Sequence, residues 1–313
     1  MSNRFAVALR RWVDSSAEGD QLRGDPSGID WPRVVPFVAL HLGCLGAIWT
    51  GWSPFAAGLA AALFAVRMFA ITAFYHRYFS HRAFRTSRGW QFVFAVLGAS
   101  AVQRGPLWWA AHHRHHHVHS DQPEDVHSAR QEGFLRSHMG WFLARENFAT
   151  RTRLVRDLAR YPELRWLDRY DVAVPAALFV ALWALGAWLE AAHPSLGTSA
   201  WQLVVWGFCI STVVLFHSTF VINSLAHCWG TRRYETSDDS RNNPLLALVT
   251  FGEGWHNNHH RYPGAARQGF YWWELDLSWY GLKLLAALGI VRDLRPVPVS
   301  VLEAGRRGRR RQP

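Results

Sequence analysis

Apolar positions in this chain are gathered into blocks, at residues 34–52, 56–74, 172–192 and 201–222. Each is long enough for a helix to cross a hydrocarbon core of ~30 Å, which takes about 20 apolar residues. The blocks come in pairs, joined by short turns near 53–55 and 193–200 that contain neither Lys nor Arg. The N-terminal segment, the stretch 82–169 and everything after 231 are rich in Arg. Positive charge stays on the cytosolic side of a membrane, so all three polar regions are expected there. The pattern predicts an all-α polytopic membrane protein, with four transmembrane helices in two hairpins beneath a cytosolic helical cap. Two shorter apolar stretches, 90–102 and 272–290, read as interfacial or packing helices, since the first is too short to cross. The expected division is an N-terminal cytosolic segment at 1–33, a main domain at 34–290 and a basic C-terminal tail at 291–313.

Composition changes this picture little. A mean hydropathy of −0.08 conceals the blocks, because 34 Lys+Arg and 17 His offset them. Eighteen Trp suit an interfacial aromatic belt. Cys44, Cys209 and Cys228 are odd in number and form no CxxC pair, so they read as small buried hydrophobes. The first thirty residues lack an apolar core, and no cleaved signal peptide is expected. Arg67 lies inside the second block, where snorkelling or a structural pairing is expected. The arginine-rich stretch 305–311 reads as a disordered surface segment near anionic lipid. No nucleic-acid partner is expected.

The chemistry lies in the histidines. His76 and His81 stand five apart, His113, His116 and His117 form one HxxHH group, and His256, His259 and His260 form another. Imidazole suits Fe, Zn or Cu, not Ca or Mg. At 100° per residue, positions i, i+3 and i+4 share a helix face, so each HxxHH is expected to aim three rings at one point. His76 and His81 converge only if the second span frays or bends as it leaves the membrane. Thr219, Asn223 and His227 are spaced four and four, which predicts one stripe on the last span and makes His227 a ninth candidate ligand. Nine histidines from four segments suffice for two metal ions with open positions, whereas a structural zinc needs four ligands. Asp121, Asp125 and Glu253 are the nearby carboxylates that would hold ligating rings from behind. His112, His115 and His119 form a separate stripe and read as supporting or surface residues. His127, His138 and His217 read as hydrogen-bonded structural histidines. Chance enrichment does not explain so regular a pattern on one membrane face.

Five strings, HRYFSHR at 76–82, WAAHHRHHH at 109–117, SHMGW at 137–141, NSLAH at 223–227 and GEGWHNNHH at 252–260, resemble membrane fatty acid desaturases in content and order. The resemblance is strongest to the stearoyl-CoA (Δ9) desaturases and their bacterial acyl-CoA and acyl-lipid relatives, and makes 34–290 a fatty acid desaturase domain. It implies that His76, His81, His113, His116, His117, His227, His256, His259 and His260 bind two Fe ions, with Asn223 holding a metal-bound water. It also implies a kinked acyl tunnel bordered by Gln103, Trp109 and Thr219, a cis double bond at Δ9, and a requirement for O2. The substrate would be a fatty acyl thioester or a lipid acyl chain. Electrons would come from a separate ferredoxin, cytochrome b5 or flavoprotein reductase, since neither flank has the length of a fused cytochrome domain. With the charge asymmetry, the resemblance places the chain in a bacterial inner membrane, its active site facing the cytosol. Val126 departs from the family, which has Pro between Asp125 and His127. Two other readings compete. A hydroxylase of alkyl, sterol or carotenoid substrates would use similar histidine boxes, and a metal transporter would need polar ligands at mid-membrane, where these spans hold few.

Overall fold

The computed structural model describes residues 10–16 and 25–309. Four of its helices are long and apolar enough to cross a membrane: Trp31–Thr50, Pro54–Ser80, Ala173–Ala192 and Ala200–Cys228. Each begins where the sequence stops competing with helix. The second span, for example, starts at Ser53, whose side chain accepts from the Ala56 amide, with Pro54 in the first turn. The second and fourth spans outrun their apolar blocks. At 27 residues the second is ~40 Å long, so its last turns stand clear of a ~30 Å core. Those extra turns carry His76 and His227 to the polar side.

The second span stays helical to its end and does not fray. Over Ala70–Ser80 it widens into a π-helix, and the His81 amide donates to the His76 carbonyl at 3.2 Å. An i→i+5 ladder stacks positions five apart, which is how His76 and His81 come to share a face. Their ring centres lie 4.9 Å apart. The fourth span has a π segment too, Val204–Ile210, and then a break at Ser224 between Ser211–Asn223 and Leu225–Cys228. The expected single stripe of Thr219, Asn223 and His227 is therefore interrupted before His227.

Arg67 does not snorkel. It is 1% exposed and donates to the Thr212 and Ser211 hydroxyls and to the carbonyls of Leu63, Ser100 and Gly207. Gly207 belongs to the π segment, so the irregular backbone of one span supplies an acceptor for the buried cation of another.

On the polar side, Arg88–Ala99 lies as an amphipathic helix, with Trp90 and Phe92 exposed and Phe94 and Ala95 buried. Phe94 stacks on Phe74 of the second span at 3.8 Å between ring centres. This contact anchors a core that continues through Tyr75, Phe79, Leu107 and Leu164. The helix Pro106–His119 crosses above it, and the short helix His256–Arg261 faces that helix. A two-residue antiparallel ladder, Arg85–Thr86 with Val291–Arg292, joins the start of the cap to the chain's end. The tail is ordered further than expected: Val299–Arg309 is helical, and the Tyr271 hydroxyl donates to the Leu302 carbonyl at 2.7 Å. Arg310 and Arg311 lie outside the described residues.

Arg67→Ala should cost about 3 kcal/mol of stability, because it opens a cavity and takes a donor from the Thr212 and Ser211 hydroxyls, of which Ser211 keeps its bond to the Ala60 carbonyl. Thermal unfolding in detergent measures this; a loss below about 1 kcal/mol would mean that the five contacts do not hold the spans together.

Candidate metal centre

The nine candidate histidines collect into two groups, in each of which one ring nitrogen per residue lies within 4.8 Å of all the others. His76, His81, His113, His117 and His259 make the first, and His116, His227, His256 and His260 the second. Inside the first, Nε2 atoms meet at 3.0 Å for His76 and His259, 2.8 Å for His81 and His113, and 2.9 Å for His117 and His259. Inside the second, His227 and His256 meet at 3.0 Å.

The HxxHH groups do not each aim three rings at one point. His113 and His117 serve the first group while His116 serves the second; His256 and His260 serve the second while His259 serves the first. The reason is angular. Positions i and i+4 differ by about 40° around a helix, but i+3 and i+4 differ by 100°, so the middle histidine must face elsewhere.

Carboxylates set which nitrogen faces inward. His116 Nδ1 donates to Asp125 Oδ2 at 2.9 Å, His227 Nδ1 to Asp121 Oδ2 at 2.7 Å, and His260 Nδ1 to Asp238 Oδ2 at 2.7 Å. His76 Nδ1 pairs with Glu253 in the same way. Each leaves an Nε2 lone pair for the centre, which is how proteins orient ligating imidazoles. The expected supports Asp121, Asp125 and Glu253 are thus all in contact with candidate ligands. Asp238 was missed; the signal was an acidic pair, Asp238 and Asp239, in an otherwise basic segment.

Burial, reinforced by neighbouring rings, pushes His113, His117, His256 and His259 far below the usual imidazole value, and His260 to about 4. These rings are neutral at ordinary pH. Burial lowers His116 as well, but Asp125, with help from Asp121 and Asp238, brings it above the usual imidazole value. Burial opposes ionisation of Asp238, but His260 and Ser240 hold its carboxyl well below the usual range. A set of neutral, inward lone pairs braced by carboxylates is the donor chemistry of a transition-metal site, and Nε2 of His260 is buried with no protein partner.

Glu253 depends on tight backbone. Gly252 has φ +119°, and a Cβ there would stand 2.4 Å from Asp276 Oδ1; one on Gly254 would stand 2.1 Å from the Ala247 amide nitrogen. Arg77, 1% exposed, bridges Glu253 at 3.1 Å and Asp276 at 3.0 Å, locking the loop to the second span. On the other side, Asp121 sits at φ +58°, and Asp125 accepts from the amides of Asp121 and His127. Asp125 itself organises this loop, with Val126 in place of proline.

A cavity of ≈ 260 Å³ runs from Arg11, Arg104 and Asp171 at the polar side to His113, Thr219 and Asn223. Gln103 donates to Thr219 Oγ1 at 2.8 Å, and Trp109 Nε1 donates to Gln103 Oε1 at 3.4 Å, so the three expected tunnel residues form one hydrogen-bonded rim. Val102 and Arg104, on either side of Gln103, have φ of +61° and +68°. The left-handed region is strained for a β-branched residue such as Val102, and Gln103 between the two is held by its bonds to Thr219 and Trp109. Asn223 lines the cavity beside His113, and Ser137 donates to its carbonyl at 2.7 Å. Among the remaining histidines, His112 is buried between Trp108 and Trp141, His115 packs on His119, and His127 packs on His116. His127 lies close enough to His116 and Asp125 to form a third ligand-like set, but Asp125 is already bonded to His116 Nδ1.

Helices long and apolar enough to cross a membrane thus carry a divided polyhistidine cluster, and a cavity ends beside it. The fatty acid desaturase profile matches residues 50–292. The chain is 36% identical to the sn-2 palmitoyl-lipid 9-desaturase of Nostoc sp. (strain 36), over 88% of this chain and 94% of that protein. It is 36% identical to the sn-1 stearoyl-lipid 9-desaturase of Anabaena variabilis, over 85% and 94%, and 35% identical to the icosanoyl-CoA 5-desaturase of Limnanthes douglasii, over 85% and 72%. The chain belongs to the fatty acid desaturase family and is an oxidoreductase.

Loss of Asp238 should weaken metal retention by about 10–100-fold, the usual effect of removing a carboxylate behind a ligating histidine. Metal content of Asp238→Ala after graded chelation checks this; retention equal to wild type would remove Asp238 from the centre.

Proposed function

We propose that this chain is an O2-dependent Δ9 desaturase that introduces a cis double bond into a long saturated acyl chain carried by a membrane lipid, at a centre of two irons. The observation that carries the reading is the pair of histidine groups at the end of a cavity rimmed by Gln103, Trp109 and Thr219. The catalytic unit is residues 34–290, set in a bacterial inner membrane with the centre facing the cytosol. The lipid ester is favoured over a thioester because the two relatives sharing nearly their full length with this chain are named for lipid substrates.

His76, His81, His113, His117 and His259 would hold one iron and His116, His227, His256 and His260 the other, and Asn223 would hold a metal-bound water. Bound iron supplies the oxidising power needed to take hydrogens from unactivated methylenes, which no side chain has. Overall, the chain's two hydrogens, two electrons and two protons reduce O2 to two waters. The protein's part is positional. The Gln103–Thr219 hydrogen bond ties the loop after Arg88–Ala99 to the fourth span, and Trp109 closes the third side, so an acyl chain must bend there. A bent chain holds two neighbouring methylenes on one side, the arrangement that yields a cis product. The carboxylates behind the rings keep Nε2 inward through the cycle. The basic polar face suits an acidic, separate electron donor of ferredoxin, cytochrome b5 or flavoprotein type.

Expression in a desaturase-deficient host, followed by gas chromatography–mass spectrometry with double-bond localisation, should give new Δ9 cis monoenes in membrane lipid. Hydroxylated chains would overturn the reading in favour of a hydroxylase, and His116→Ala should abolish product without changing cellular metal uptake. Thr219→Val removes one hydrogen bond of about 1–1.5 kcal/mol, so turnover should fall roughly tenfold while metal content stays at the wild-type level. A turnover unchanged by Thr219→Val would show that the rim does not position the chain.

A further inference from the structure

The cavity has a wall that is one helix thick. Pro36, Phe37 and Leu40 of the first span line it, while Val35, Val38 and Leu42 on the opposite face are exposed where membrane-length helices meet lipid. Two interruptions bracket this stretch. Pro36 has no N–H for the Pro32 carbonyl, which accepts instead from the Trp12 indole. Beyond Gly43 the helix tightens into a 3₁₀ turn, Cys44–Gly46, a geometry that marks hinges within helices.

The fourth span lies across the seam. Phe37 stacks on Phe216 at 5.8 Å between ring centres, and both line the cavity. His41 Nε2 meets His217 Nε2 at 3.2 Å, His217 Nδ1 meets His138 Nε2 at 3.0 Å, and His138 Nδ1 meets Ser224 Oγ at 3.0 Å. His217 uses its two nitrogens on two different histidines, so the rings form a line and do not converge as a cation site requires. The line is a directional polar tie in a seam otherwise packed by apolar groups.

We propose that residues 37–43 of the first span are a lateral door, latched by His41 and His217, through which the acyl chain of a bilayer glycerolipid swings into the cavity. The proposal rests on the lipid-substrate reading above. Drawing each methylene from hydrocarbon into water costs about fourfold in equilibrium constant, so threading a dozen through the polar mouth is disfavoured on the order of 10⁷-fold. Parting one histidine pair costs roughly fivefold. A chain still attached to its headgroup therefore enters far more easily through the seam, and the hinges at Pro36 and Cys44–Gly46 let that segment move without unfolding the span.

The seam can be locked. A Cβ on Gly43 would lie 3.5 Å from Cys209 Cβ, and one on Gly46 would lie 3.9 Å from Val205 Cβ, both separations that a disulfide bridges. The test uses the metal-loaded full chain carrying Cys44→Ala and Cys228→Ala, in phosphatidylcholine vesicles with palmitoyl and stearoyl chains and a donor that supports turnover. Oxidised Gly43→Cys, its cross-link to Cys209 verified by peptide mass, should desaturate vesicle lipid at least tenfold more slowly than the reduced form and recover on reduction. Gly46→Cys with Val205→Cys, in a chain also carrying Cys209→Ala, pins the hinge turn itself to the fourth span and provides a second lock should the first variant fail to accumulate. A cross-linked chain that works at the reduced rate overturns the door. A chain without either lock that converts acyl-CoA but not vesicle lipid overturns the lipid-substrate reading and the door with it, so the two failures appear in different samples.

Discussion

Nine imidazole rings whose ring nitrogens crowd within 4.8 Å in two groups set the requirement that the rest of the cap meets. Facing lone pairs repel one another, and only a shared cation or a proton turns such a cluster into a favourable arrangement. The protein holds the rings in this condition from outside. Asp121, Asp125, Asp238 and Glu253 take the outer nitrogens, and burial keeps the exposed alternatives unavailable. Each of those carboxylates is itself expensive to bury, which explains the density of polar support around them: Arg77 on Glu253, Ser128 and the Asp239 amide on Asp121, and Ser240 on Asp238.

Helix geometry carries this demand into the membrane. Two of the four spans widen into π-helix, the second for its last eleven residues and the fourth for seven in its first half. In the second span the wider turn brings two histidines onto one face. In the fourth, the Gly207 carbonyl of that segment accepts from Arg67. Irregular backbone is tolerated at these depths because its freed groups find partners inside the protein, never in lipid.

Much of this was legible in the sequence because hydrophobic blocks and histidine spacing are local signals. The number of spans and their pairing could be read from residue order, and the fold brings together the nine histidines that spacing singled out and the Gln103, Trp109 and Thr219 that the resemblance named. What could not be read was anything decided by contacts between distant segments. The π-helix at Ala70–Ser80 has no mark in its composition, so His76 and His81 looked mismatched. The break at Ser224 was hidden by the even spacing of Thr219, Asn223 and His227. Asp238 stood 22 residues before its partner His260, with nothing local to link them. The helix Val299–Arg309 was masked by its arginines, although Tyr234 and Tyr271 hold its first turn by backbone carbonyls.

The division of each HxxHH group between the two clusters has a consequence for how the molecule is made. Neither cluster can be completed by one stretch of chain: the first needs the second span, the central helix and His259, and the second needs the central helix, the end of the fourth span, His256 and His260. Synthesis runs from the N-terminus, so both remain unfinished until residue 260 has left the ribosome, by which time all four spans have been made. A nascent chain thus has no half-built centre in which one cluster is whole and the other absent. Completion of the two histidine groups is therefore one late step, made when the short helix His256–Arg261 docks and closes both together.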